Sequence, residues 1–213
     1  MEIIWYGHAC FRLKDRGITI LTDPYGRDLG YKLPRVQADV VTISHDHPGH
    51  NWAQGVKGKP RILNGPGEYE IRGVFITGIP TFHDNKRGAR WGKNTVFLFE
   101  FDGLAVCHLG DIGHVPTQAQ VEMLSEVDVL LIPVGGKNTI NASQAAEVIS
   151  ALEPRLVIPM HYQSKALKRK LNPLARFLKE MGLKALPPQE SLKVTKSSLP
   201  EETQVVVLAP KYG

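Results

Sequence analysis

The six residues His45-Asp46-His47-Pro48-Gly49-His50 constrain this chain more than any other feature. Three imidazoles sit within them, directly after residues 38–44, a β-branched run of the kind that forms a buried strand. Three histidines at one strand exit are costly to desolvate unless something takes their lone pairs. Imidazole nitrogens suit zinc and other first-row divalent ions. If the backbone stays extended past Ser44, side chains alternate. His45 and His47 then project to one side and Asp46 faces away. The Pro48-Gly49 bend can swing His50 round to join them. The plain alternative is a solvated polar turn.

Three further strand exits carry similar chemistry. Residues 76–81 lead to His83-Asp84, residues 105–109 to Gly110-Asp111, and residues 156–160 to His161-Tyr162. Each alone is weak, since an Asp after Gly is usually a turn residue. Together they place potential ligands on rigid strand ends that can converge at one sheet edge.

The rest of the pattern is that of an α/β domain. Short β-rich runs fill the first half at 2–6, 10–14, 18–22, 38–44, 61–64, 68–72, 74–79, 95–101 and 104–109. Asp15-Arg16-Gly17 and Asp102-Gly103 are turn signals between them. Helices then alternate with strands. Thr117 and Gln120 form a capping box that opens a helix to about Val127. A strand at 128–134, a helix at 142–152 and a strand at 156–160 follow. Asn172 as N-cap and Pro173 at the first helical position open another helix, which Gly182 ends. Strands at 192–195 and 204–208 close the chain. With 213 residues, 42% hydrophobic and no linker or low-complexity tract, the expectation is one domain over residues 1–213. Two sheets would pack together with helices outside.

Composition limits the setting. Two cysteines, Cys10 and Cys107, are too few for a disulfide framework or a cysteine zinc site. No basic, apolar leader opens the chain and no apolar run is long enough to span a bilayer. A cytoplasmic protein is expected. The net charge of +5 is mild and permits an anionic partner.

The ordered series of ligand-type residues resembles the metallo-β-lactamase superfamily, whose signature is His-x-His-x-Asp-His, then a distant His, an Asp and a last His. The matches here are His45, His47, His50, His83, Asp111 and His161. Tyr6-Gly7-His8-Ala9, Thr22-Asp23-Pro24, Cys107-His108-Leu109-Gly110-Asp111 and Ile158-Pro159-Met160-His161-Tyr162 resemble the branch containing ascorbate-6-phosphate lactonase. The resemblance implies an αββα four-layer sandwich with one or two divalent ions at a sheet edge. Zinc comes first, with manganese, iron and nickel open. By position, His45, His47 and His83 would hold one ion, and His50, Asp111 and His161 the other, with Asp111 bridging. The chain departs from the signature at Gly49, where relatives carry an Asp that binds the second ion and helps handle protons. A weakened second site is the expectation.

Around these ligands, Asp23 is a candidate to hold a ligand imidazole from behind. His108 reads as a supporting or core residue. His8 is a candidate proton donor and Tyr162 a candidate for stabilising an oxyanion. Lys86, Arg87, Arg90, Trp91 and Lys93 form a basic loop after His83 that could attract a small anionic substrate. A bound divalent ion lowers the pKa of its water from about 15.7 to roughly 7, so no serine or cysteine nucleophile is required. The leading expectation is hydrolysis of a small anionic ester, lactone or phosphodiester. One rival is a phosphodiesterase or ribonuclease, although no aromatic platform for stacking nucleic-acid bases is evident. The other is a non-catalytic metal-binding or regulatory domain. No membrane partner is expected. The sequence shows no oligomer interface, and the resemblance leaves a homo-oligomer open.

Overall fold

The computed structural model describes residues 1–124 and 126–212. Five strands open the first sheet: β1 (Glu2–Trp5), β2 (Phe11–Asp15), β3 (Ile18–Thr22), β4 (Val40–Thr42) and β5 (Arg61–Leu63). Six more build the second: β6 (Gly67–Ile71), β7 (Val74–Phe82), β8 (Lys93–Phe101), β9 (Leu104–His108), β10 (Val129–Pro133) and β11 (Leu156–Met160). The short β12 (Leu192–Lys193) returns beside β1, and β13 (Gln204–Val205) closes the second sheet beside β11. Helices α1 (Gln118–Met123), α2 (Ala142–Leu152) and α3 (Leu174–Glu180) complete the regular structure. Both sheets are mixed.

Alternation along the strands decides what each face covers. Ile3, Trp5, Phe11, Leu13, Ile18 and Ile20 of the first sheet meet Ile76, Phe97, Phe99 and Val106 of the second in one inter-sheet core. Their neighbours Ile4, Leu21 and Val41 point the other way, into a second cluster with Tyr25, Tyr31, Leu33, Leu167 and Leu171. That outer face is covered by loop and two single-turn 3-10 segments, Arg27–Leu29 and Ala53–Gly55. The interior strand β10 is buried on both faces, as its run Val-Leu-Leu-Ile requires. Helices α2 and α3 contribute Val148, Ile149, Phe177 and Leu178 to the same core.

Strand direction brings the critical exits together. β3 and β4 run parallel, as do β9, β10 and β11. β7 and β9 are each antiparallel to β8, so they share a direction with each other. The carboxyl ends of β7, β9 and β11 therefore open on one edge of the second sheet. β2 is antiparallel to β3, so the β1–β2 turn at residues 6–10 lies at the same end as the exit of β3.

Local differences from the sequence reading have local causes. The Thr117–Gln120 capping box is present, but α1 ends at Met123. Its expected continuation toward Val127 falls partly on Ser125, outside the described residues. α2 begins and ends where expected and carries a second capping box, Asn141 with Gln144. α3 starts at Leu174 with Pro173 as its cap. Asn172 does not cap it, because its backbone N–H donates to Gly135 and its carbonyl accepts from Gln163. Those bonds hold it in the preceding loop.

Candidate metal centre

Ser44 to His50 does not continue β4. His47 N–H donates to the His45 carbonyl at 3.0 Å, and His50 N–H donates to that of His47 at 2.8 Å. The segment is a tight coil, so alternation does not explain why His45 and His47 share a side. The coil itself gathers His45, His47 and His50, whose ligand atoms lie within 4.8 Å of one another. Asp46 is exposed and accepts from Asn51 at 2.6 Å, turned out of the cluster.

Asp111 stands at the middle. Its Oδ2 lies 3.3 Å from His50 Nε2, 3.3 Å from His161 Nε2 and 3.5 Å from His83 Nε2. One side chain to which the sequence gives no signal, that of Asn94, places it. The Asn94 amide donates to Thr81 Oγ1 and to the Leu109 carbonyl, and its oxygen accepts the Asp111 N–H at 2.9 Å. Gly110 has φ of 58°, and a Cβ there would meet Asn94 Oδ1 and the Ser44 Cβ at 2.5 Å. No other residue leaves that crossing room.

Asp23 accepts three hydrogen bonds, from Ser44 N–H (2.7 Å), Ser44 Oγ (2.6 Å) and His50 Nδ1 (2.8 Å). The Asp23–His50 bond fixes the ring so that His50 Nε2 faces Asp111. His83 is held differently, through Nδ1 to the Asn138 backbone carbonyl at 3.2 Å. His108 is fully buried. It donates from Nε2 to the Ala9 carbonyl at 2.8 Å, which Thr22 Oγ1 also reaches at 2.9 Å. It thus supports the turn that carries His8 and stays outside the cluster. His114 is bound on both nitrogens to backbone and is likewise structural.

Burial leaves lone pairs available on His45, His47 and His83. Burial pushes His45 down to about 3 and holds His83 and His47 below the usual histidine range. Burial would also lower His50, but Asp111 and Asp23 together raise it to about 10. Burial alone would raise the Asp111 carboxyl. The surrounding His161 and His50 hold it well below the usual carboxylate range. Among the described residues His45 Nε2, Asp111 Oδ1 and both nitrogens of His161 are buried without a hydrogen-bond partner.

Two expectations for flanking residues change. His8 lies inside the cluster, its ring centroid 4.2 Å from that of His161 and 4.8 Å from that of His50. Burial, then the neighbouring His161 and His50, drive its pKa well below the ordinary value. A ring held neutral at pH 7 offers a lone pair and is poorly suited to donate a proton to a leaving group. Tyr162 turns into the inter-sheet core against Trp5, with ring centroids 5.2 Å apart. Among the described residues it makes no hydrogen bond to the cluster, and burial raises its pKa further from neutrality. That position does not suit an oxyanion donor, because packing the ring takes precedence.

The basic loop is organised by Asp84. Its carboxylate accepts four backbone N–H groups, from Lys86, Gly88, Arg90 and Trp91, at 2.7–2.9 Å. Lys86, Arg90 and Trp91 line a polar cavity of about 260 Å³ with Asn85, Lys137 and Asn138. The Asn138 carbonyl that holds His83 connects the cavity to the cluster. Arg87 and Lys93 are exposed but do not line it. From the other side, half-buried Arg169 lies close enough to depress His8 and His47.

These donors fit a divalent ion. Two ligands on a tetrahedral zinc with bonds of ~2.05 Å lie about 3.3 Å apart, close to the spacings around Asp111 Oδ2. The cluster also holds what such an ion takes: imidazoles that burial holds neutral at His8, His45 and His83, one ionised carboxylate at Asp111 and orphaned buried polar atoms.

A two-sheet sandwich with a histidine and aspartate cluster at one edge defines the metallo-β-lactamase class. Residues 2–161 match the family model described as a beta-lactamase superfamily domain. The chain belongs to that superfamily and, within it, to the UPF0173 family. A UPF0173 protein of Pyrococcus furiosus is 31% identical over 185 residues, covering 76% of this chain and 83% of that one. A UPF0173 metal-dependent hydrolase of Methanopyrus kandleri is 27% identical over 216 residues, covering 86% and 94%. The crystal structure of a candidate Zn-dependent hydrolase of the metallo-beta-lactamase superfamily from Thermotoga maritima matches with a TM-score of 0.81 and 45% identity. It covers 97% of both chains.

Proposed function

We propose that this chain is a metal-dependent hydrolase of a small anionic ester or lactone, with zinc as its first metal. The observation that carries the reading is the set of buried, unpartnered donors around Asp111 Oδ2. His45, His47 and His83 would hold one ion, and His50, His161 and Asp111 a second, with Asp111 between them. When bound, divalent ions supply activated water at neutral pH and polarise the oxygen under attack.

The chain's own residues do the rest. Asp23 and the Asn138 carbonyl lock His50 and His83, so the rings need no reorientation when an ion arrives. Asn94 holds Asp111 by its backbone. Lys86, Arg90 and Lys137 line the cavity beside His83 and would take the anionic group of the substrate. Asp84 lines the same cavity, but four N–H groups occupy its oxygens, so it competes little for those cations.

The resemblance of Tyr6-Gly7-His8-Ala9 and Thr22-Asp23-Pro24 to the ascorbate-6-phosphate lactonase branch supports phosphorylated lactones as the first substrates to try. The test is turnover by zinc-loaded protein on phosphorylated lactones, simple esters and phosphodiesters, before and after chelation. Chelator-sensitive hydrolysis of lactones or esters supports the reading. Turnover of phosphodiesters alone would transfer it to the nucleotide class. Bound zinc with no turnover on any of the three would favour a metal-binding domain.

A further inference from the structure

The second half of the cluster lacks the carboxylate that the signature places at position 49. We propose that His8 takes that place: its imidazole, with His50, His161 and Asp111, closes a second divalent-ion site built from three histidines and one carboxylate. The proposal rests on the metal-centre reading above and extends it to a ligand from a different part of the chain.

Three independent observations meet here. The ligand atoms of His8, His50 and His161 lie within 4.8 Å of one another, and all three residues are buried. Among the described residues both His8 nitrogens are buried without any hydrogen-bond partner, in a residue only 2% exposed. A polar ring placed so deep without a partner is costly unless a ligand satisfies it. Finally, a Cβ built on Gly49 would lie 3.4 Å from His8 Nε2 and 3.1 Å from His47 Nδ1. A carboxylate carried on that Cβ would have to share its space with the His8 ring.

Gly49 is not demanded by the backbone. Its φ is outside the left-handed region, unlike that of twelve other glycines among the described residues. What glycine supplies at this position is the missing side chain, and the imidazole fills the room it leaves. The His8 backbone does carry strain. His8 has φ of 53° and follows Gly7 at 96°, in a turn closed by Cys10 N–H to the Gly7 carbonyl. The His8 carbonyl accepts both the Trp5 indole N–H and the His161 N–H at 3.1 Å. These bonds aim the ring inward and tie its backbone to His161, its proposed partner at the ion.

The exchange changes the chemistry of the site. An imidazole replaces a negative oxygen, so the second ion has more nitrogen and less compensating charge around it. Nitrogen-rich sets suit zinc, cobalt and nickel better than manganese or magnesium.

The test is metal stoichiometry by elemental analysis and cobalt(II) absorption on the whole protein, with circular dichroism to confirm folding. Asn tolerates the left-handed backbone better than Ala, so His8→Asn is the variant of choice. Wild type should bind two equivalents and His8→Asn one. The double variant His8→Asn/Gly49→Asp should recover the second equivalent, because the carboxylate returns to the vacated space. Two equivalents retained in folded His8→Asn would overturn the proposal and leave the metal centre intact. One equivalent in both wild type and His8→Asn would overturn it in the same way. No metal in folded wild type would remove the metal-centre reading itself and the proposal with it.

Discussion

The two sides of Asp111 are built in different ways. On one side, His45 and His47 come from a single coil, joined by His83 at the end of β7. On the other, His50 meets His161 at the end of β11 and His8 from the β1–β2 turn. The orienting groups differ as well. His83 is fixed by a backbone carbonyl, which side-chain substitution cannot delete. His50 is fixed by the Asp23 carboxylate, which one substitution removes. One side thus depends on local geometry, and the other on long-range packing around a buried acid.

That contrast can be broken from the middle outward. Asp111→Asn removes the charge that both sides share. It should cost more metal affinity and turnover than any change to a supporting residue, at least about a hundredfold. Elemental analysis and kinetics would check it, and full metal retention would refute the central place given to Asp111. Asp23→Ala frees the His50 ring and leaves His83 untouched. Loss of such an orienting partner typically costs about 10–100-fold in affinity. The loss should fall on one of two cobalt equivalents in a titration; equal weakening of both would erase the distinction.

Smaller effects lie outside the donors. Lys86→Ala with Arg90→Ala should raise KM for an anionic substrate by about tenfold with little change in kcat, because the lost contacts bind ground and transition states alike. Unchanged KM and kcat would mean that the cavity does not bind the substrate. Asp84→Ala should leave the fold intact and expose the loop at Lys86, Arg87 and Arg90 to trypsin. Burial would raise the Asp84 carboxyl, but four backbone N–H donors hold it at about 2, below an ordinary value near 4. Its contribution is therefore present above the unfolded value and lost as pH falls through about 2. Loop protection should persist at pH 5 in wild type and be absent at pH 5 in the variant.

The ligand types were legible because chemistry-bearing residues sit at strand exits, and strand exits can be read from hydrophobic runs and turns. His45, His83, Asp111 and His161 are singled out that way, and the structure brings their side chains together. Alternation does not account for His45 and His47 sharing a side, since hydrogen bonds inside the coil replace the extended backbone that alternation needs. Asn94 and Ser44 were passed over because a lone polar residue beside a strand gives no signal. They matter only where two strand ends cross. Tyr162 was misjudged because adjacency to His161 in the chain says nothing about which way a large ring packs.

The order of His, Asp and Gly along the chain determined that metal-type ligands exist and that position 49 lacks one. Sequence spacing carries that much because each exit is local. Only the tertiary structure decided which side chain stands beside the gap. His8 is forty-one residues from Gly49, and the two meet because β1, β2 and β3 form an antiparallel meander whose first turn ends where β3 ends. Strand direction and sheet packing made that meeting, and neither is written in any one segment.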